Sequence, residues 1–337
     1  MRIGLSFDLK SDIVATSVAT DDFLEEYDSE ETIQAITSAL QKKGHTIIHL
    51  AGGREFLRRV ITDTVDFVFN ISEGRGKHRS REAQVPSVLE MLGIPYSGSD
   101  PLTLALCLDK PMTQKLVSAA GVVTPRHKVI SSHSQTASLA EEWGIFPCLV
   151  KPACEGSSKG VHLGSRLDDM PSLLREATRM LDLYQQPVMV EEFIAGDEVT
   201  VGVIGQPPRV LGIMRVLPQK GPDPDFIYCL EVKRNFETLV SYECPANLPA
   251  ETLHQIDVAS LKVFQALGCR DVARLDFRVD GRGQPYFIEV NPLPGLRPGY
   301  SDLPIMAQMM GYNYDALVGL ILECALERQF QCAPRSA

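Results

Sequence analysis

Lys151 ends an apolar run, Pro147-Cys148-Leu149-Val150, and is followed by Pro152 and then Glu155-Gly156-Ser157-Ser158-Lys159-Gly160. A lysine at a strand end beside a Gly/Ser turn can hold phosphate, with a point cation, backbone N–H groups and hydroxyls converging on it. Arg274-Leu275-Asp276 and Ile288-Glu289-Val290-Asn291 form a second constellation. Strand side chains alternate, so Arg274 shares a face with Asp276, and Glu289 with Asn291, while Leu275 and Val290 point to a core. Paired as neighbouring strands, they would bring together two carboxylates, an amide oxygen and a guanidinium. Hard oxygen donors in that number suit Mg²⁺ held between protein and phosphates.

Two further segments are weaker alone. Glu191-Glu192-Phe193-Ile194 closes the run Val188-Met189-Val190, and Glu198 follows shortly. Such a strand end can meet an adenine edge through its backbone and apolar side chains, with Glu198 accepting ribose hydroxyls; it would equally serve as a solvated strand end. Glu231-Val232-Lys233-Arg234-Asn235, after the polar stretch Gln219 to Asp225, reads as a mobile loop that brings cations over a phosphate site.

These residues need a scaffold. The first hundred residues alternate strand and helix. Strands are predicted at Ile3–Phe7, Thr46–Leu50 and Val65–Asn70, a helix opens at Asp28 with Glu31, and another spans Glu82–Leu92. The alternation implies a parallel layer, whose ligands gather at the carboxyl ends of strands. Asn70 to Gly74 lies at such an edge. Helices are further expected at Pro111–Ala120, Asp168–Leu181, Pro249–Leu267 and Asp315–Arg328. Strands are expected at Pro147–Pro152, Gly160–Leu163, Val188–Glu192, Val199–Ile204, Val210–Val216, Arg270–Val279 and Tyr286–Val290.

Composition narrows the class. The chain has 337 residues, enough for two or three compact units, and a net charge of −10, which argues against a nucleic-acid or anionic-membrane surface. No apolar run reaches the roughly 18 residues of a membrane span, and the N-terminus does not read as a signal peptide. The eight cysteines form no C-x-x-C pair, so free thiols in a reducing cytoplasm are expected.

The chain resembles the ATP-grasp superfamily, and within it the D-alanine–D-alanine ligases, over roughly Asp66 to Arg328. The resemblance rests on Gly93-Ile94-Pro95-Tyr96-Ser97-Gly98-Ser99, Leu108-Asp109-Lys110, Val150-Lys151-Pro152 with Glu155-Gly156-Ser157-Ser158, Cys244-Pro245-Ala246, Leu267-Gly268-Cys269, Arg274-Leu275-Asp276, and Glu289-Val290-Asn291 through Pro294-Gly295. It implies an α/β fold, α+β in the ATP-grasp part. Residues 1–107 would form a Rossmann-like parallel-sheet domain, 108–194 a central and 195–330 a C-terminal ATP-grasp subdomain, and 331–337 a tail. It further implies a cytoplasmic homodimer that uses ATP and two Mg²⁺ ions to join a small-molecule carboxylate to an amine through an acyl phosphate. Lys110 and Lys151 would contact ATP phosphates with Lys233 closing over them, Glu155, Ser157 and Ser158 would also bind ATP, and Glu191, Glu192, Phe193, Ile194 and Glu198 would line the adenosine pocket. Asp276, Glu289 and Asn291 would hold the metal. Arg274 would stabilise the oxyanion, with Ser157 and the backbone near Gly295 placing substrate.

The substrate half departs from the family. Its N-terminal Gly-Gly loop, with a glutamate for the first substrate's ammonium, has no evident counterpart; Phe7-Asp8-Leu9-Lys10 leads into an insertion ending Asp21-Asp22-Phe23-Leu24-Glu25-Glu26-Tyr27. The family's His-Gly is Glu73-Gly74, its tyrosine after the loop lysine is Arg234, and Lys159 replaces a small apolar residue. From this, a product other than D-alanyl-D-alanine is expected. Glu73 or Glu82 would replace the ammonium partner. Arg234, Arg297 (near Ser301) or the Arg75–Arg81 cluster would receive an extra carboxylate or phosphate. A true D-alanine–D-alanine ligase, an intramolecular cyclo-ligase and a nucleotide-binding regulator stay open as alternatives.

Overall fold

Apolar residues two apart in short runs, separated by helical spacing, make the first unit a parallel layer. The computed structural model describes residues 1–13 and 20–332. Here β1 (Arg2–Ser6), α1 (Glu30–Lys42), β2 (Thr46–Ala51), α2 (Gly53–Thr62), β3 (Phe67–Asn70), α3 (Gln84–Leu92) and α4 (Pro101–Leu108) follow in order. The strands form an all-parallel sheet in the order β2-β1-β3. The helix expected to open at Asp28 starts two residues later. Ser29 is its cap, with its hydroxyl accepting from the Thr32 N–H, and Glu30 and Glu31 sit favourably at the positive end of the helix dipole.

The middle of the chain comprises α5 (Lys110–Ala119), β4 (His127–Ile130), α6 (His133–Glu142), β5 (Cys148–Pro152), β6 (Arg166–Leu167), α7 (Met170–Tyr184) and β7 (Val188–Glu192). Its strands make an antiparallel sheet, β4-β7-β5-β6. The strand expected at Gly160–Leu163 is absent: these residues run on through turns from the Gly/Ser segment. Ser157 and Ser158 both take left-handed backbone angles (φ 50° and 57°), which breaks extended geometry there.

The last part holds β8 (Gly196–Ile204), β9 (Arg209–Pro218), α8 (Leu230–Arg234), α9 (Phe236–Leu239), β10 (Val240–Glu243), α10 (Ala250–Ala266), β11 (Val272–Asp280), β12 (Pro285–Asn291), α11 (Asp302–Met309) and α12 (Tyr314–Cys332). Its antiparallel sheet runs β10-β9-β8-β11-β12. Segment 231–235, expected as a loop, forms most of α8. Of the expected tail, 333–337 lies outside the described residues. Helices α2, α4, α6 and α11 went unread because each is short: α2 and α6 are rich in polar residues, while α4 and α11 are apolar nearly all round and so show no stripe. No helix among the described residues is long and apolar enough to cross a membrane.

On β11 one face is wholly apolar: Ala273, Leu275, Phe277 and Val279 are buried with Ile256, Val263 and Phe264 of α10. Phe277 packs edge-on against Phe287 of β12, ring centroids 5.9 Å apart. Each such side chain contributes roughly 1.5–3 kcal/mol on burial. That face fixes the strand's roll, and so fixes where Arg274, Asp276 and Arg278 point.

The units are fastened by a buried ion pair. Asp271, just before β11, accepts from Arg328 Nε and Nη2 at 2.9 and 2.8 Å and from the Gly98 N–H at 2.8 Å, and Arg328 also donates to the Tyr96 carbonyl. Asp271→Asn removes a buried carboxylate charge that accepts two hydrogen bonds from Arg328 and should lower unfolding free energy by about 3–5 kcal/mol. Asp315→Asn, which breaks the exposed Lys42–Asp315 pair, should cost less than about 1 kcal/mol. Urea unfolding of both variants checks the contrast.

Candidate active site

Two antiparallel strands, β11 and β12, bring the second constellation together. Arg274 is the register partner of Asn291, and Asp276 of Glu289. Arg274 Nη2 lies 2.9 Å from Asp276 Oδ2 and 3.9 Å from Glu289 Oε1, and Asn291 Nδ2 is 3.5 Å from Asp276 Oδ2. Thr200, across on β8, donates to Asp276 at 2.5 Å. Glu289 also meets Lys110 Nζ at 2.9 Å. Burial works against its charge, yet Lys110, Lys151, Lys233 and Arg274 hold its carboxyl far below the ordinary range. Asp276, Glu289 and Asn291 offer oxygens only, with Glu289 kept ionised, and this set suits a hard divalent ion.

A cavity of about 110 Å³ lies between the middle and last sheets. Lys110, Lys151, Glu155, Ser158, Glu191, Glu192, Phe193, Ile194, Glu198, Lys233, Asp276 and Glu289 all line it. Lys151 and Glu191 are paired at 2.7 Å, both buried, and Gln114 donates to the second Glu191 oxygen at 2.7 Å. Glu191 thus holds Lys151 in place. Glu192 pairs outward with Arg126 at 3.0 Å. Lys233, carried on α8, reaches Ser158 Oγ at 2.8 Å and lies over the Tyr228 ring.

Arg278 is a site residue that sequence reading missed. It lines the same cavity and contacts Glu198 at 2.6 Å, the Phe193 ring and the carbonyls of Ile194, Gly196, Pro224 and Phe226. Its signal was present, since it continues the alternation of Arg274 and Asp276. Tyr228 and Asp302 were also missed. The Tyr228 hydroxyl donates to Asp302 at 2.9 Å, and Asp302 lies 3.6 Å from Arg274. No local pattern marks either one.

A second cavity, about 250 Å³, adjoins the first through Lys110, Glu155, Gly156, Tyr228, Lys233 and Asp302, which line both. Ser157, Glu73, Glu82, Arg274, Asn291, Gly295, Arg297 and Ser301 face it, together with Glu25, Glu26 and Asp28. Arg234 lines neither cavity; it pairs with Glu25 at 2.5 Å. Arg297, which lines the second cavity, pairs with Glu31 at 3.1 Å, and Ser301 Oγ accepts from its N–H.

The cationic cluster is drawn onto carboxylates. Arg75 meets Asp8 at 2.7 Å, Arg79 meets Asp109 at 3.0 Å, and Arg81 binds Glu26 at 2.6 Å. Lys159 completes that knot, 2.9 Å from Glu26 and 3.1 Å from Glu155. Glu26 in turn accepts from the Gly156 N–H at 2.7 Å, and Asp22 from the Gly160 N–H at 2.9 Å. The inserted segment therefore straps the Gly/Ser turn, and Lys159 is charged because Glu26 arrives there. The acidic residues thought to be missing reach the cavity through this strap.

Comparison with known proteins agrees with this geometry. The family described as "D-ala D-ala ligase C-terminus" matches residues 116–323. A D-alanine–D-alanine ligase from Aquifex aeolicus is 32% identical over 295 residues, covering 87% of this chain and 94% of the relative. One from Syntrophotalea carbinolica is 34% identical over 302 residues, 89% of this chain and 92% of the relative. A crystal structure of the Bacillus anthracis D-alanine–D-alanine ligase complexed with ATP superposes with a TM-score of 0.70 at 25% identity, covering 98% of this chain and 99% of that one. Fold and matches together define an ATP-grasp enzyme, an ATP-dependent ligase that forms carbon–nitrogen bonds and uses ATP and Mg²⁺. The chain belongs to the D-alanine–D-alanine ligase family.

Two buried acids of the second cavity have opposite pH behaviour. Burial pushes Glu82 up to about 7, from an ordinary 4.5, against the pull of Arg81. Burial also works to raise Glu26, but Arg81 and Lys159 overcome it and bring it down to about 2. Glu82 is protonated in the folded chain and ionised in the unfolded one between those values, so its contribution is full below about pH 4.5 and lost as pH rises to about 7. The Glu26 contribution is full above about pH 4.5 and lost as pH falls towards 2. Glu82→Gln should therefore stabilise the protein by on the order of 1–3 kcal/mol at about pH 8 and by far less at about pH 4. Glu26→Gln should destabilise it at neutral pH by about 3 kcal/mol or more. Thermal unfolding across pH reads both.

Proposed function

We propose that this ligase joins two amino acids through an acyl phosphate, with D-alanine as acyl donor and as amine. The observation that carries the reading is the meeting of the two cavities at Lys110 and Lys233, beside Arg274. The first cavity suits a nucleotide: apolar Phe193 and Ile194 beside Glu198 at one end, and Lys110, Lys151, Lys233 and Ser158 at the other. The second suits amino acids, with carboxylates for ammonium and Arg274 and Ser301 for carboxylate. The sequence-based expectation of a product other than D-alanyl-D-alanine has no support from the relatives, which are named D-alanine–D-alanine ligases.

A carboxylate does not react with an amine at neutral pH, because its leaving group is poor. Phosphorylating it gives the carbonyl a good one. In this reading Lys110, Lys151 and Lys233 orient the nucleotide phosphates and offset the charge that spreads over the γ-phosphoryl oxygens. Asp276, Glu289 and Asn291 would hold Mg²⁺, which when bound neutralises phosphate charge. Arg274, kept protonated by Asp276, Asp302 and Glu289 in spite of burial, stabilises the oxyanion formed when the amine attacks. The α8 segment carrying Lys233 excludes water from the acyl phosphate.

ADP release from Mg²⁺-ATP in the presence of D-alanine tests the reading. D-alanine alone should drive turnover, and the product should have the mass of its dimer. ADP release with a different carboxylate–amine pair, and none with D-alanine, would keep the ligase and replace its substrate. Arg274→Met should lower kcat by about 10²–10³-fold while ATP affinity changes little.

A further inference from the structure

Amide formation leaves one need unmet by the groups above. The amine arrives as an ammonium and must lose a proton before its nitrogen can attack. Lysines and arginines cannot take that proton, and the carboxylates beside Arg274 are committed to it and to Lys110.

The second cavity contains carboxyls with no such commitment. Glu25, Glu26 and Glu155 are each paired with a cation. Glu73, Glu82 and Asp28 have neither side-chain hydrogen-bond nor ion-pair partners among the described residues, and all three line the cavity, but only Glu73 and Glu82 are held together by one loop. Glu82 is only 8% exposed. An unpartnered carboxyl so deeply buried is costly, and this one faces an opening that also admits Arg274 and Ser301.

The fold brings these two carboxyls together deliberately. Gly74 takes a left-handed φ of 81°, and a Cβ there would lie 2.0 Å from the Arg81 carbonyl oxygen and 3.2 Å from the Glu82 nitrogen. The chain leaving β3 thus loops out and returns to touch itself, setting Glu73 beside Glu82. Only glycine permits that closure.

We propose that the Glu73–Glu82 pair binds the attacking ammonium and takes its proton. This rests on the ligase reading and adds a proton acceptor to it. The step balances simply: the ammonium gives one proton to a carboxylate, the neutral nitrogen attacks the acyl-phosphate carbonyl, and phosphate departs with the carbon–oxygen bond pair. The nitrogen's second proton leaves with the phosphate. The charges around the pair suit the task. Glu82 faces Arg81, Lys110, Glu26 and Glu155; Glu73 faces Glu82, Glu26, Asp28 and Arg81. Burial and then the neighbouring acids Glu82, Glu26 and Asp28 push Glu73 well up, and burial brings Glu82 up to about 7, so Glu82 is the member that exchanges protons near neutral pH.

Hydroxylamine tests this, because it is uncharged near neutral pH and needs no proton acceptor to capture an acyl phosphate. In Glu82→Gln, and separately in Glu73→Gln, dipeptide formation should fall by about 10²-fold. Hydroxamate formation from the same amino-acid donor should stay within about two-fold of the unaltered protein. The rise of dipeptide kcat/KM with pH through about 7 should disappear in Glu82→Gln. If hydroxamate and dipeptide fall together, the pair serves the donor or the fold, and the proposal is overturned. Unchanged dipeptide formation in both variants overturns it too. If the unaltered protein yields no hydroxamate from any amino acid, the ligase reading itself fails, and this proposal with it.

Discussion

Everything at this site depends on the pairing of β11 with β12. Their register sets Asp276 opposite Glu289 and Arg274 opposite Asn291. The same strands bury Leu275, Phe277, Phe287 and Val290 on the other face. A slip of one residue would send the carboxylates into the core and the leucine into the cavity. The apolar face therefore acts as the positioning device for the charged one. That is why three ionic groups and an amide can converge: the register holds them, and Lys110, Thr200 and Asp302 occupy their remaining bonding capacity.

The second constraint is electrostatic. The site concentrates lysines and arginines where phosphate charge would gather, and in the protein alone that charge is met by Glu191, Glu289 and Glu26. Each pairing keeps a cation in position. Lys151 is held by Glu191 and Lys233 by Ser158, while the strap carrying Asp22 and Glu26 holds the Gly/Ser turn by its backbone N–H groups. Two successive serines in left-handed geometry show how sharply that turn is bent; such residues cost of order 1–3 kcal/mol each and need support of this kind.

Much of this was legible in the chain. Alternation exposed the Arg274–Asp276 and Glu289–Asn291 faces, because period-two patterning and burial are both local. The parallel first layer followed from its strand–helix alternation. Errors came where neighbours decide. The segment from Gly160 to Leu163 has strand composition but no strand to pair with. The arginines from Arg75 to Arg81 looked like free cations because their partners Glu26, Asp8 and Asp109 lie 30 or more residues away in sequence. The acidic insert seemed to replace a substrate-binding loop, whereas it folds back on to the cavity.

By itself the sequence determined the types of group available, their order along the chain and the faces on which β11 and β12 present them, since side-chain alternation and capping need only adjacent residues. The tertiary structure alone decided which carboxylates are consumed in ion pairs and which stay free. Pairing is a matter of distance in space and of local dielectric, and neither is written in spacing. Glu26 and Glu82 are both glutamates beside other charges in the sequence; one is locked by direct ion pairs to Arg81 and Lys159, the other is left buried and protonatable, because the folded chain aims the cations at the first while burial outweighs the pull of Arg81 and Lys110 on the second.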